Sequence, residues 1–309
     1  MKKYIAIVGV LSLLLSFNSC DKVSNPFPPA ESSELDSTLY PGAWSDYIAN
    51  EWPTFGVNTN TNRNVLIEDF TGHKCTYCPA AAVVAHDLHN ANPNRVFIAT
   101  IHAGPTGIGD FQSVTLPDYP TDWTCSEGLE IGNYFGVNDG GFSGNPRGPI
   151  SRVNYNGTIF QSPTNWTSLV SSVMTTNSLK VDIQSAINYY PSTNGLFLHT
   201  EVEKKDPALA NDLAMVVYFI EDSIVGDQKM GDNSHNATYV HRDVLRQTID
   251  GKTWGRTLTS DMLQNGKYYV NYSFKIPTQY TDLSNVHLLI YVRDKTTQEI
   301  YQVIKQKIQ

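Results

Sequence analysis

Val65-Leu66-Ile67-Glu68-Asp69-Phe70, then Thr71-Gly72, then Cys75-Thr76-Tyr77-Cys78-Pro79, is the stretch whose reading decides the fold. Its first six residues are mostly β-branched, aliphatic or aromatic and read as a strand, which Thr71-Gly72 breaks. Ala80-Ala81-Ala82-Val83-Val84-Ala85-His86-Asp87-Leu88 reads as a helix, and Arg95 to His102 as a second strand. Strand, helix, strand at this spacing is a βαβ unit. A CxxC at the strand-to-helix turn has a physical logic. Cys75 is expected at the helix N-terminus, where unpaired N–H groups and the macrodipole stabilise a thiolate. Cys78, one turn later, would resolve a mixed disulfide. His73 and Lys74 are expected to add positive charge beside Cys75.

Here the sequence resembles thioredoxin. The resemblance implies that Asp69, six residues before Cys75, is a buried proton acceptor. It also implies a cis-proline loop opposite the CxxC that docks an extended substrate. Gly144-Asn145-Pro146-Arg147-Gly148-Pro149-Ile150-Ser151-Arg152 holds the candidates, with Pro146 preferred and Pro149 the alternate. Lys74 stands where thioredoxins carry an aromatic residue, and Thr76-Tyr77 replaces Gly-Pro, so no redox potential carries over. Three readings of the CxxC remain open: active thiol–disulfide exchange, a permanent structural disulfide, and metal binding. For metal, Cys75, Cys78, His86 and His89 form C-x2-C-x7-H-x2-H. Zinc accepts those ligand types, but the helix from Cys78 to His86 would span about 12 Å, too far for one site. No metal or cofactor is therefore expected. Cys125, in a long polar insertion from His102 to Gly128, reads either as a third redox partner or as a lone, poorly reactive thiol.

The N-terminus reads as an address. Met1-Lys2-Lys3 is positive, and Tyr4 to Leu15 is almost wholly apolar but shorter than the ~20 residues a spanning helix needs. Phe17-Asn18-Ser19-Cys20 then resembles a bacterial lipobox. The expectation is a lipoprotein signal peptide over residues 1–19 and diacylation of Cys20, with the lipid bilayer as partner. Residues 20–62, with Pro26, Pro28 and Pro29, read as an extended, solvated tether. Its Trp44, Tyr47 and Trp52 suggest that its end docks onto the body. Asp36-Ser37-Thr38 resembles an O-glycosylation acceptor of some Gram-negative anaerobes, and equally reads as plain exposed linker.

With 309 residues there is room for two domains of about 100–200 residues each. Charged residues are 17% and apolar residues 40%, which excludes a disordered acidic chain. The net charge of −8, with no clustered Lys/Arg face, argues against nucleic acid. No Ser-His-Asp, HExxH, P-loop or paired-carboxylate signature occurs.

From about Ser178 the pattern turns to strands. Leu179–Asn188, Leu196–Glu203, Leu213–Asp222, Lys267–Lys275, Val286–Arg293 and Glu299–Lys305 all read so, and together suggest a two-sheet sandwich. Gly226 to Asn265 reads as one long polar connection. His241, Arg242 and Arg246 read either as a basic patch for an anionic partner or as charges paired with Glu221 or Asp222.

Ordered marks run along most of the chain: Glu68-Asp69-Phe70-Thr71-Gly72 before CxxC-Pro; Tyr119-Pro120-Thr121-Asp122-Trp123; Gly144 to Gly148 with Arg152; Tyr218-Phe219-Ile220-Glu221-Asp222; and Tyr239 to Arg246. They resemble the twenty-eight-kilodalton outer-membrane-protein family, lipoproteins of Gram-negative bacteria. The resemblance implies an α/β thioredoxin-like domain (63–175) followed by an all-β immunoglobulin-like sandwich (176–309), and places the chain in the cell envelope. Two functions follow as expectations. One is a membrane-tethered thiol–disulfide protein with Cys75 as nucleophile, Cys78 as resolver, Asp69 as proton acceptor and Pro146 as docking turn. The other is a cell-surface or periplasmic binding module, engaging an extracytoplasmic protein or a glycan, whose CxxC is only a brace.

Overall fold

The computed structural model describes residues 35–210 and 212–309. The signal peptide, Cys20 and the proline-rich start of the tether lie outside the described residues. The chain runs through a short turn of helix, α1 (Trp44–Asp46), then β1 (Val65–Thr71), α2 (Cys78–Ala91), β2 (Val96–His102), α3 (Ser126–Asn138), β3 (Gly148–Pro149), β4 (Phe160–Gln161) and α4 (Pro163–Thr176). Strands β5 (Val181–Tyr190), β6 (Gly195–Lys204), β7 (Leu213–Glu221), β8 (Ile224–Lys229), β9 (His235–His241) and β10 (Val244–Thr248) follow. The chain ends through β11 (Arg256–Thr257), β12 (Leu263–Gln264), β13 (Lys267–Lys275), β14 (Val286–Asp294) and β15 (Ile300–Lys307).

The protein is a mixed α/β fold dominated by strands, and one sheet joins its two halves. β1 and β2 pair in parallel across α2, as the βαβ reading requires. β2 is then joined by β10, and the sheet continues in the order β1-β2-β10-β7-β14-β15, with β11 on β7. On the far side of β1, Ile67 and Phe70 bridge Ile150 and Arg147 antiparallel, next to β3. A second sheet, β12-β13-β6-β5, packs against one face of β7 and β14.

Burial explains the two kinds of strand sequence. Leu213, Met215, Val217 and Phe219 of β7 face the second sheet, while Val216, Tyr218 and Ile220 face α3 and the first strands. A strand covered on both faces reads as a continuous apolar run. β13 is buried only at alternate residues, and its sequence alternates.

Several local expectations differ from the structure. Residues 35–62 strap across the outer face of the second sheet through Trp44, Tyr47 and Trp52, as those residues suggested, rather than forming a solvated tether. Tyr47 is fully buried, Leu35 and Leu39 pack on Phe197, and the Asp36 N–H donates to Ser273 Oγ. Aromatic area outweighs the proline and serine content around it. After β3 the chain turns away, because Ser151 and Arg152 adopt positive φ (48° and 49°). The segment Gly226–Asn265 is not one long loop, since it contributes to β8, β9, β10 and β11.

Candidate functional site

β1 ends at Thr71, and the chain turns at Gly72. A Cβ there would lie 2.6 Å from the Phe111 carbonyl oxygen, so the close approach requires glycine. Cys75 follows in the turn, its N–H donating to the Gly72 carbonyl. α2 starts at Cys78, with Pro79 in its first turn. It is therefore Cys78, not Cys75, that occupies the mouth of the helix. The two cysteines form a disulfide. Both are sealed, with 1% and 2% of their surface exposed.

The seal is the β8–β9 hairpin. Gln228 Nε2 donates to the Cys75 carbonyl at 3.2 Å, and the Lys229 N–H donates to the His73 carbonyl at 2.7 Å. Gly226 lies against Trp123, whose ring meets His241 at a tilt of 31° with centroids 4.1 Å apart. His102, the last residue of β2, is buried beside both rings and neither of its nitrogens has a partner. Burial holds His102 well below the usual histidine range. It pushes His241 down to about 4, and burial with the neighbouring Lys74 charge does the same for His73. The expected positive charge from His73 is thus absent at neutral pH. Lys74 Nζ is drawn to Ser113 Oγ and Thr115 Oγ1 at 2.7 and 2.8 Å.

Asp69 is buried, its Oδ1 has no partner, and burial raises its pKa to about 7. It sits in a cleft of about 320 Å³ between α2 and β9, together with Cys78, His102, Val83, Tyr239 and Arg242. Cys75 does not line that cleft. A reagent arriving there would meet the Cys78 side of the disulfide, the reverse of the assigned order.

The Asn145–Pro146 bond is cis, and Pro149 is trans. The adjoining backbone is already occupied: Arg147 exchanges hydrogen bonds with Phe70, and Asn145 Nδ2 donates to the Ala103 carbonyl. Gln112 Nε2 ties Asn145 Oδ1 to the Thr71 carbonyl.

The remaining candidates separate. Cys125 caps α3, its sulfur accepting from the Gly128 N–H, and burial pushes its thiol up to about 12. Among the described residues it has no sulfur partner. His89 Nδ1 bonds the Val96 carbonyl and His86 faces Asp243, so the two do not converge on the cysteines. His241 is buried and Arg246 lies 3.5 Å from Glu221, so no basic patch assembles.

Sequence reasoning missed Gln228, His102 and Trp123 as neighbours of the disulfide. It also missed a second recess, about 570 Å³, on the outer face of the second sheet. There the strap residues Trp44, Ile48, Trp52 and Phe55 face Tyr269 and Asn271 of β13. The cluster of aromatic residues in 44–55 was the available signal.

The family model described as outer membrane protein Omp28 matches residues 135–309. This is more than half of the chain, and the protein belongs to that outer membrane protein family. The matched stretch includes Pro146, Arg152 and strands β3 to β15 with the hairpin, but not β1, β2, Cys75 or Cys78. Among solved structures, HBP35 of Porphyromonas gingivalis is similar in fold: 13% identity, 81% of this chain and 77% of that chain covered, TM-score 0.58. A domain of the outer membrane lipoprotein Omp28 from Porphyromonas gingivalis is 21% identical over 42% of this chain and 89% of that one, with a TM-score of 0.29. None of the curated proteins matches the chain.

Proposed function

We propose that this outer-membrane lipoprotein is a non-catalytic binding module of the cell envelope, in which the Cys75–Cys78 disulfide is a structural clasp. The observation that carries this reading is the seal over the sulfurs: both cysteines are at most 2% exposed, and the hairpin closes on the Cys75 and His73 carbonyls. Exchange begins with a thiolate reaching a sulfur in line; the hairpin covers Cys75, and the cleft offers only the Cys78 side, itself 2% exposed.

In this reading residues 1–19 are a signal peptide, and the acylated Cys20 holds the module to the bilayer. The order β2-β1-β3 beside α2 supports a thioredoxin-like ancestry for the α/β unit. The two packed sheets support an immunoglobulin-like sandwich, one of whose sheets has merged with that unit. The partner is extracytoplasmic and meets the exposed aromatic recess.

A second reading, thiol–disulfide exchange, is favoured by one feature. Asp69, with a free oxygen and a pKa near 7, shares a cleft with Cys78 and could accept or return a proton there. Insulin reduction driven by dithiothreitol separates the two. The clasp reading expects the same rate for the native protein and Cys75→Ser, and a disulfide that dithiothreitol opens only with urea present. Catalysis by the native protein that disappears in Cys75→Ser would overturn it.

A further inference from the structure

The recess on the outer face of the second sheet is built rather than left over. Tyr47, fully buried beneath it, starts a hydrogen-bond relay. Asn188 Nδ2 donates to the Tyr47 hydroxyl at 3.1 Å, and that hydroxyl lies 2.6 Å from His199 Nε2. His199 Nδ1 in turn lies 2.8 Å from Asn271 Oδ1. One arrangement satisfies every member: the tyrosine O–H donates to Nε2, and the neutral imidazole donates from Nδ1 to the amide oxygen. Burial keeps His199 neutral, its pKa down at about 4. The relay therefore fixes which end of Asn271 is which, and leaves its NH₂ for the recess it lines.

The aromatic wall is held equally firmly. Trp44 stacks on Tyr47 with centroids 4.6 Å apart and planes at 6°, and Trp52 meets His199 edge-on at 4.4 Å. Ile48, on the same wall, leaves 54% of its surface in water. No lysine, arginine, aspartate or glutamate lines the recess, whose polar groups are side-chain amides, hydroxyls and a neutral imidazole.

We infer that this recess is a binding site for a neutral saccharide. Its volume lies within the few hundred to about 1,000 Å³ typical of ligand pockets. Rigid aromatic rings offer flat apolar area at little entropic cost, and fixed amide groups opposite them supply direction. A pyranose ring has a C–H face and a hydroxylated edge, which matches that split. The uncharged lining gives nothing to balance a phosphate, a uronate or a charged peptide. A proline-rich peptide would also suit aromatic walls, and its free carbonyls could accept from Asn271, so it is the competing occupant of the test.

This inference rests on the binding-module reading, and its test keeps the two apart. The purified protein is titrated by calorimetry and tryptophan fluorescence with neutral oligosaccharides (cellohexaose, maltohexaose and mannohexaose). Hexagalacturonate serves as the charged control and decaproline as the competing occupant. At least one neutral glycan is expected to bind, with the charged oligomer and decaproline inert. Asn271→Ala is expected to weaken binding at least tenfold. Ile48→Glu, at an exposed position that leaves the fold intact, is expected to do the same. Loss of all glycan binding, or glycan binding indifferent to Ile48→Glu, overturns the inference. Decaproline binding that is lost in Ile48→Glu overturns the saccharide while leaving the module reading in place. Catalysed insulin reduction overturns the module reading whatever the glycans do.

Discussion

Arg152 and Glu68, 84 residues apart in the chain, meet as a buried bidentate pair: Nε to Oε2 and Nη2 to Oε1, each at 2.6 Å. Tyr218 of β7 donates its hydroxyl to Glu68 at 3.0 Å, and Tyr291 of β14 donates to Tyr218 at 2.9 Å. One charged cluster thus ties β1 and the turn after β3 to the middle of the long sheet. It is the polar counterpart of the β2–β10 junction.

Removing one partner should therefore be costly. Glu68→Gln leaves a guanidinium in a dry site without its counter-charge, and is expected to lower stability by about 3–5 kcal/mol. The double variant Glu68→Leu with Arg152→Met removes both charges and should lose less than the single one. Urea midpoints for the three proteins measure this; a single variant as stable as the parent would contradict the account.

The hairpin seal gives a kinetic prediction. A Cβ on Gly226 would fall 2.3 Å from the Trp123 ring, which is buried and packed against His241. Gly226→Ala is expected to lift the hairpin and speed reduction of Cys75–Cys78 by dithiothreitol at least tenfold, with the sheets still folded by circular dichroism. Gln228→Ala should act in the same direction but more weakly, since it removes two hydrogen bonds of about 1 kcal/mol each, to the Cys75 and Lys229 carbonyls, without displacing the hairpin.

Cys125 should be nearly inert in the folded state. A thiol held at about 12 rather than about 8.5 has on the order of a thousandfold less thiolate at pH 7. Iodoacetamide labelling is expected to be slower by about that factor than in urea-unfolded protein. Equal rates would mean that the burial is wrong.

Stability should fall on mild acidification. Burial holds His73, His86, His199 and His241 at about 4 and His287 at about 3, with His102 also well below its usual value. Unfolded histidines titrate near 6.5. Between pH 6.5 and 4 the unfolded chain therefore takes up protons that the folded chain refuses. The stabilisation is complete above 6.5 and declines as pH drops. Asp69 and Asp243, raised by burial to about 7, act the other way, because the folded state keeps their protons. Six histidines outweigh two carboxyls, so urea midpoints should decrease from pH 7 to pH 5. A midpoint that rises over that range would contradict the burial of the imidazoles.

Much of the frame was legible in the chain. The βαβ unit and the six long strands were readable because apolar period and strand residues agree there. α3 was not, because Gly128, Gly132 and Gly136 depress helix propensity along its inner face. Those glycines are there for contact: a Cβ on Gly132 would sit 2.5 Å from the Gly104 oxygen. α4 was also passed over, although Trp166, Val170 and Val173 form a helical stripe. β8 and β9 look like loop because their exposed polar residues mask a short hairpin.

Local chemistry alone determined that a strand would deliver a CxxC to the start of a helix and that paired sheets would follow. These follow from propensity, periodicity and spacing within a few residues. What the sulfurs can reach, whether His73 carries charge, and where the aromatic strap makes a recess were decided by tertiary structure. Access and protonation depend on which distant segments exclude water, and the segment that covers Cys75 lies 153 residues away along the chain, at Gln228.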